Sequence, residues 1–428
     1  MNFYIAIIIF TLTLAFVIIK PFKLGQAVYA AFFAVLVVAF KIVSFSDIGT
    51  VVNNVWNAGF SLISIMIISS ILDEIGFFKW AALTMALTAE GQGKKLFLYI
   101  ILLGAMISIF FNNDGTIIIL TPIVYEIIKA LGFKEKNILP FIFACSFIAD
   151  AASIPLVVSN LANIINADIL GLSFNYYLSK MLIPGLTVII GITFMLFLYY
   201  KKNIVNHYNP RDIGNPDDVI TDWGMFNIGV LVLFSVIIGY FIASKHKIPV
   251  SLISIFGAVA LLVFGKVKKS IEITKILKKA PWDILIFAFS MYLIVFGLYK
   301  NGFNEILLNI LLKVQNNNNL LIAIYSGFVS TISACTMNNL PSVMLGAFTI
   351  SDPRFTEMSK EIIAFSSIIG NDLGAKLTPI GSLATILWFD ILKLKGVEIS
   401  WLDYTKAALY VVTPVLVMSL VVLGFMFS

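Results

Sequence analysis

The stretch YIILLGAMISIFFNNDGTIIILTPIV, residues 99–124, places a polar cluster between two long apolar runs. The cluster consists of Asn112, Asn113, Asp114 and Gly115. Together the two runs are long enough to cross a bilayer, where a formal charge and unpaired polar groups carry a high free-energy cost. The segment therefore predicts either two membrane spans joined by a loop or a re-entrant hairpin whose polar tip is held inside the protein.

The composition predicts an all-α polytopic membrane protein. The chain has 428 residues, of which 60% are hydrophobic and 12% are charged, and its mean hydropathy is +0.99. Apolar runs recur along nearly the whole length with short connectors, so a soluble catalytic domain of ordinary size is excluded. The basic residues behind the net charge of +6 lie mostly in loops, which argues against nucleic acid as a partner.

The sequence lacks the motifs of the main rival classes. It contains no phosphate-binding Gly-x4-Gly-Lys-Ser/Thr sequence, no HExxH and no GxSxG within a span, so we expect a secondary transporter rather than an ATP-driven pump or an enzyme. The two cysteines, Cys145 and Cys335, lack metal-site spacing. We expect no cofactor and no resident metal.

Ten apolar segments are long enough to cross the membrane. They are residues 3–20, 25–44, 51–72, 137–170, 181–200, 224–243, 248–265, 282–299, 360–392 and 405–427. Two of them, 137–170 and 360–392, are interrupted by polar residues. Two further segments, 95–131 and 320–350, each hold a polar break between apolar arms and are predicted to be re-entrant hairpins.

An internal repeat relates these features. A shift of 226 positions places Asn112 and Asn113 on Asn338 and Asn339, and a shift of 222 places residues 148–164 on residues 370–386. The matched polar residues are not the apolar filler that aligns easily by chance in membrane chains. The repeat predicts duplicated halves.

The halves are predicted to be residues 1–200, with hairpin 95–131, and residues 224–428, with hairpin 320–350. Residues 201–223 form a polar cytoplasmic linker. Five crossings in each half give the two repeats opposite orientations, whereas an even number would make them parallel. The five-crossing arrangement puts 20 basic residues on one face and 8 on the other, which predicts that the first face is cytoplasmic and that both termini lie outside.

The polar breaks supply neutral hydrogen-bonding groups, and no arginine lies in a span to clamp an anion. Such a site suits a small neutral polyhydroxyl solute or a dehydrated cation better than a dianion. Hydrogen bonding between helices is the alternative role for each residue. The predicted substrate-binding residues are Asn112, Asn113, Thr116, Ser159, Asn160, Asn163, Asn338, Asn339, Ser342, Ser382 and Thr385.

Three acidic residues and one lysine are candidates for proton coupling: Asp150, Asp372, Asp114 and Lys376. A carboxylate at membrane depth is stabilised by pairing or by taking up a proton. Asp372 precedes Lys376 by four residues, so a continuous helix would pair them, whereas Asp150 has no cation nearby in sequence. Asp114 has a second reading as the cap of the following helix.

Five blocks of sequence are similar to the bacterial arsenite and antimonite efflux permeases, the ArsB family of the ion-transporter superfamily. They are FFNNDGTIIILTPIV (110–124), FIADAASIPLVVSNLANIINAD (147–168), APWDILIFAFSMYLIVFGL (280–298), MNNLPSVMLGAF (337–348) and GNDLGAKLTPIGSLATILW (370–388). The resemblance implies export of trivalent arsenic and antimony hydroxides across the bacterial cytoplasmic membrane in exchange for protons. It also implies the two inverted five-span repeats with re-entrant hairpins.

Some alternatives stay open at this level. Some members of the resembled family work alone and others with a cytosolic arsenite-stimulated ATPase subunit. A sodium–proton or anion carrier of the same superfamily is a rival function, and a channel is a more distant one. Thiol coordination of arsenic is disfavoured because two cysteines cannot form a three-thiolate cage.

Overall fold

The computed structural model describes residues 2–210 and 213–427. Arg211 and Asp212 of the predicted linker lie outside the described residues, as do Met1 and Ser428 at the ends of the two predicted halves. The first part of the chain forms α1 Asn2–Ile19, α2 Gln26–Ala39, α3 Phe45–Glu74, α4 Phe77–Thr88, α5 Gly93–Phe110, α6 Asn113–Ala130, α7 Glu135–Ala151, α8 Leu161–Leu170 and α9 Phe174–Tyr200. The second part forms α10 Trp223–Lys245, α11 Val250–Val267, α12 Ile273–Lys279, α13 Trp282–Lys300, α14 Asn304–Leu312, α15 Asn319–Met337, α16 Asn339–Ile350, α17 Glu357–Gly374, α18 Leu383–Leu394 and α19 Trp401–Met426.

The fold is all-helical, as the composition predicts. Apart from an isolated bridge between Gln92 and His207, no strand occurs in residues 2–210 and 213–427. Within those residues nine helical segments are long and apolar enough to cross a membrane: α1, α3, α5, α9, α10, α11, residues 273–300, α15 and α19. The chain is therefore a multi-pass membrane protein.

Each segment with a polar interruption forms two helices instead of one. Residues 137–170 contain α7 and α8, and residues 360–392 contain α17 and α18. The backbone groups freed by the first break are satisfied in part by Asn160, whose Oδ1 accepts a hydrogen bond of 3.0 Å from the Ala162 amide and caps α8. Such caps allow a broken helix to persist inside an apolar protein.

The two hairpin segments turn at their asparagines. Asn112 caps α6, because its Oδ1 accepts from the amides of Asp114 at 2.6 Å and Gly115 at 3.1 Å. Asn338 lies at the other tip with φ of 74° and ψ of 153°, a backbone region that costs a residue other than glycine about 1–3 kcal/mol. Asn112 is only 1% exposed and Asn339 only 8% exposed, so both tips lie inside the protein.

The helix boundaries follow the sequence repeat. The starts of α5 and α15 are related by the shift of 226, as are those of α6 and α16, and the shift of 222 relates α7 to α17 and α8 to α18. Packing between the halves is reciprocal, since α6 packs on α18 while α16 packs on α8, and α9 packs on its counterpart α19. Reciprocal contacts of this kind characterise a two-fold arrangement.

Small residues bring α15 and α17 into close contact. A Cβ atom added to Gly370 would lie 2.2 Å from the carbonyl oxygen of Gly327, so the two backbones touch directly. The Ser326 and Ser366 hydroxyls are 2.7 Å apart across the same interface. Glycine contacts and hydroxyl hydrogen bonds are the usual means of association between helices in lipid.

Candidate substrate and proton site

The two hairpin tips and the two broken helices meet at one small cavity. Its polar wall is formed by Asn113, Asp114, Asn160, Asn338, Asn339 and Ser382. The apolar wall includes Leu340 and Phe287. The volume of the cavity is about 30 Å³, which is room for about one or two water molecules.

Asn113 connects this cavity to a buried ion pair. Its Nδ2 donates a hydrogen bond of 2.7 Å to Oδ1 of Asp150, and Oδ2 of Asp150 lies 2.8 Å from Nζ of Lys376. The ammonium also donates to the hydroxyls of Thr385 at 3.0 Å and Ser146 at 3.4 Å. Asp150 and Lys376 are both 1% exposed, so each charge depends on these partners for its stabilisation.

Asp372 is held by amides. Asn160 donates to its Oδ1 and Asn163 to its Oδ2, each over 2.9 Å. A continuous helix would pair Asp372 with Lys376, but α17 ends at Gly374 and the two residues do not lie on one helix. Lys376 pairs instead with Asp150. Across the described ranges, no lysine or arginine forms an ion pair with Asp372.

Comparisons with known proteins agree with this architecture. The model of the arsenical pump membrane protein family, ArsB, matches residues 5–427. The chain belongs to the arsenical pump membrane protein family. It is 41% identical over 420 residues to the arsenical pump membrane protein of Escherichia coli K12, covering 98% of each chain.

More distant relatives extend the comparison. The putative arsenical pump membrane protein of Bacillus subtilis 168 is 31% identical over 435 residues, covering 98% of each chain. The crystal structure of the YdaH transporter from Alcanivorax borkumensis matches with a TM-score of 0.55 and 12% identity, over 88% of this chain and 87% of that one. That structural match shows a shared fold.

In this arsenical pump family member, the amides on the cavity wall have a defined orientation. A carboxylate accepts hydrogen bonds only, so Asn113 and Asn160 must present their NH₂ groups to Asp150 and Asp372. Oδ1 of Asn160 is used by the helix cap. Oδ1 of Asn113 is buried and has no hydrogen-bond partner in the part of the chain that the structure describes, which leaves an acceptor for a ligand on the cavity wall.

Several predicted substrate-binding residues form hydrogen bonds to neighbouring groups of the protein and are not part of the cavity wall. Thr116 donates to the carbonyl of Asn112 over 2.6 Å, and Ser159 donates to the carbonyl of Ile109. The Thr385 hydroxyl accepts a hydrogen bond from Lys376, and Asn163 donates one to Asp372. Ser342 is buried, and its hydroxyl has no partner among the described residues.

Asp114 does not cap α6, which is the alternative role that the sequence allowed for it. Asn112 caps α6 with its side chain, while Asp114 contributes its backbone amide to that cap and its side chain lines the cavity. Leu340, its counterpart in the second hairpin, lines the same cavity. The two tips therefore face each other with one carboxyl group between them.

Two buried residues of the site carry no clear signal in the sequence. Ser146 lies one helical turn before Asp150 on α7, a spacing that places both on one face, but nothing in the sequence indicates a lysine opposite. Tyr404 comes from α19, and its hydroxyl lies 3.5 Å from the hydroxyl of Thr385.

Cys335 donates its thiol hydrogen to the carbonyl of Gly374 at 3.1 Å. Residues 2–210 and 213–427 contain no cluster of three His, Cys, Asp or Glu side chains suited to a metal ion.

Proposed function

We propose that this protein exports trivalent arsenic and antimony hydroxides from the cytoplasm in exchange for protons, by alternating access of this cavity. One observation carries the proposal: the amides of Asn113 and Asn160 line the cavity and are hydrogen-bonded to the buried carboxyl groups of Asp150 and Asp372. The relatives named arsenical pump membrane proteins support the choice of substrate.

The cavity chemistry fits a neutral hydroxide. Trivalent arsenic hydroxide carries three hydroxyl groups and no charge at neutral pH, so it requires hydrogen-bond donors and acceptors rather than a counter-ion. Asn113 offers an acceptor, and Asn338 and Ser382 add further polar groups on the wall. The charge of Lys376 is paired with Asp150, so a dianion would find no free cation there.

The carboxyl groups provide the coupling. Asp114, Asp150 and Asp372 are buried with one ammonium, Lys376, so the cluster carries a net negative charge when every group is ionised. Protons or bound cations reduce the cost of that charge. Asp372 accepts hydrogen bonds from two amides and pairs with no cation among the described residues, and we therefore assign it as the principal proton carrier. A proton on Asp372 removes one acceptor from Asn160 or Asn163 and thereby changes the cavity wall.

The inverted arrangement of five crossings and one re-entrant hairpin per half is part of the proposal. A loop between two complete spans would lie in water, whereas both tips are buried and line one cavity. Ion pairs between the halves join residues on the same predicted face. Glu126 pairs with Lys395 at 2.7 Å on the cytoplasmic face, and Asp47 pairs with Lys300 at 2.6 Å on the outer face.

The size of the cavity supports alternating access. A space of about 30 Å³ is smaller than a solute of four heavy atoms requires. A movement of the walls must therefore enlarge the cavity before it can admit the substrate. Broken helices around a midplane site are the usual setting for such movements.

The test uses inverted membrane vesicles that contain the full chain. With an imposed pH gradient, acid inside, we expect accumulation of arsenite above its external concentration, and we expect collapse of the gradient to abolish it. Vesicles without the protein are the control. Proton-coupled sodium movement without arsenite uptake would replace the proposal with the sodium–proton carrier, and arsenite flux that ignores the gradient would indicate a channel.

A further inference from the structure

Among the cavities larger than the central one, two lie beside the broken helices α18 and α8. The first has a volume of about 670 Å³ and includes Lys20, Ile386, Asp390 and Lys393 in its wall. The second has a volume of about 510 Å³ and includes Asn57, Ile164, Asp168 and Lys247. We call them the α18 vestibule and the α8 vestibule, after the broken helix that lines each one.

The two vestibules are built from equivalent positions. The shift of 222 places Val157, Ile164, Ala167, Asp168 and Gly171 of the α8 vestibule on Pro379, Ile386, Phe389, Asp390 and Lys393 of the α18 vestibule. The duplication has therefore produced a matching pair of surface openings.

Each vestibule contains an exposed aspartate at the same place on its broken helix. Asp168 on α8 and Asp390 on α18 are both exposed, and an exposed carboxylate is stabilised by water rather than by lipid. Asp168 accepts two hydrogen bonds of 2.9 Å from Asn57. Asp390 lies 3.3 Å from the ammonium of Lys20, in the other half of the chain.

Only one turn of helix separates each vestibule from the central cavity. Leu161 lines the cavity and Ile164 the α8 vestibule, while Leu383 lines the cavity and Ile386 the α18 vestibule. Three residues of α-helix correspond to about 4.5 Å of rise. The barrier on each side is thus one helical turn thick.

The barrier on the α18 side contains an intermediate space. A small cavity of about 10 Å³ shares Asn338 and Leu383 with the central cavity and shares Ile18 and Ile386 with the α18 vestibule. Its wall is largely apolar and includes Met291. A narrow apolar constriction can close a polar path by excluding water.

We propose that the two vestibules are the intake and the outlet of one permeation path, and that the first turns of α18 and α8 are its two gates. The inference rests on the inverted arrangement proposed above, which puts the α18 vestibule on the cytoplasmic side and the α8 vestibule outside. Arsenic hydroxide enters past Leu383 and Ile386 and leaves past Leu161 and Ile164. The water-filled mouths carry the equivalent carboxylates Asp390 and Asp168.

Side-specific labelling of cysteines tests the proposal. In a full-length chain with both native cysteines replaced by alanine, Asp168→Cys and Asp390→Cys form a matched pair. We expect a membrane-impermeant thiol reagent to label Asp168→Cys in intact cells and Asp390→Cys in inverted vesicles, each roughly tenfold faster than from the opposite side, since access controls thiol reactivity. Ile386→Cys repeats the measurement at the floor of the α18 vestibule.

Two loop positions provide the controls for access. Asn316→Cys should be labelled from outside and Lys266→Cys from the cytoplasm. If these controls react and the Asp168 and Asp390 variants do not, or react from one common side, the proposal is overturned. Labelling does not require arsenite, so it tests the path separately from the proposed function. If the two vestibules are labelled from opposite sides but the protein does not transport arsenite, the path is supported and the proposed substrate is wrong.

Discussion

At the scale of single residues, the site places polar side chains on a cavity wall beside buried carboxyl groups. Asn113 and Asn160 each use their NH₂ group on a carboxyl group and face the cavity. An amide that is shared in this way changes its hydrogen bonding when the carboxyl group is protonated. In the proposed mechanism, binding and protonation are therefore linked through direct contacts.

The first prediction concerns Asp372. Asp372→Asn keeps the shape of the side chain and removes the titratable proton, so we expect arsenite uptake driven by a pH gradient to fall to the level of collapsed-gradient vesicles. Flux down an arsenite gradient should persist. Asp372→Glu is the matched control and should retain part of the gradient-driven uptake. Full gradient-driven uptake by Asp372→Asn would remove Asp372 from the coupling mechanism.

The second prediction concerns the buried ion pair. Asp150→Asn leaves the ammonium of Lys376 without its counter-ion, which costs about 3–5 kcal/mol of stability at buried sites. Removing both charges in Asp150→Asn with Lys376→Gln should restore most of the thermal stability of the purified protein. Export should remain low in the double variant. Additive destabilisation by the two substitutions would show that the two side chains do not stabilise each other.

At the scale of helices, the sequence predicts where most helices begin and end, but it predicts less of which side chains meet when the helices pack. The polar residues at Asn112 and Asn338 predict the hairpin turns, because a helix can end in an apolar environment only where its free backbone groups find polar partners. Helices end at both positions in the structure. The partner of Lys376 could not be predicted, since it depends on where α17 stops and on α7 lying opposite. Tyr404 is missed for the same reason, because only packing brings α19 to the site.

The third prediction concerns the contact between α15 and α17. Gly370→Ala places a methyl group against the backbone of Gly327, and overpacking of this kind costs about 1–3 kcal/mol. We expect a lower thermal midpoint in detergent. Gly346→Ala on α16 is the matched control, because a Cβ atom there meets no atom within 4 Å. Equal effects of the two substitutions would rule out close packing as the cause.

The fourth prediction concerns the connection between α16 and α17. The Arg354 guanidinium donates to Asp352 at 2.9 Å and lowers the pKa of that carboxyl group below its usual value. A lowered pKa in the folded state stabilises the protein above the unfolded pKa, and this stabilisation disappears as the pH falls through the folded value. Asp352→Asn should therefore lower the thermal midpoint at neutral pH and have little effect in strong acid. The exposed Glu357→Gln is the control, and an effect of Asp352→Asn that does not depend on pH would contradict the assignment.

At the scale of the whole molecule, the two halves enclose the cavity between them. Each half contributes one hairpin tip and one broken helix to the wall, and each packs a hairpin arm on the broken helix of the other half. Family membership and the multi-pass helical fold confirm the resemblance seen in the sequence. The ten crossings and their inverted orientation stay predictions, which the labelling experiment addresses.

The fifth prediction concerns relative motion of the halves. Glu126 and Lys395 lie 2.7 Å apart across the two halves, so a short thiol cross-linker between Glu126→Cys and Lys395→Cys should hold the halves together and stop arsenite uptake. Cleaving a reducible linker should restore it. Glu305→Cys with Arg354→Cys forms the matched control, because that pair lies within the second half at 2.7 Å. Continued uptake by the cross-linked Glu126 and Lys395 pair would exclude alternating access through this contact.

The facing tips carry Asp114 on one side and Leu340 on the other, and Lys376 has Ile154 as its counterpart under the shift of 222. In a duplicated carrier with identical halves, exchanging the conformations of the halves converts the inward-open state into the outward-open state, so the two states have equal free energy. The unequal charges break that equality. Under the alternating access proposed above, the unmatched carboxyl group and the unmatched ammonium give the inward-open and outward-open states different free energies, and each difference of about 1.4 kcal/mol changes the ratio of their populations tenfold.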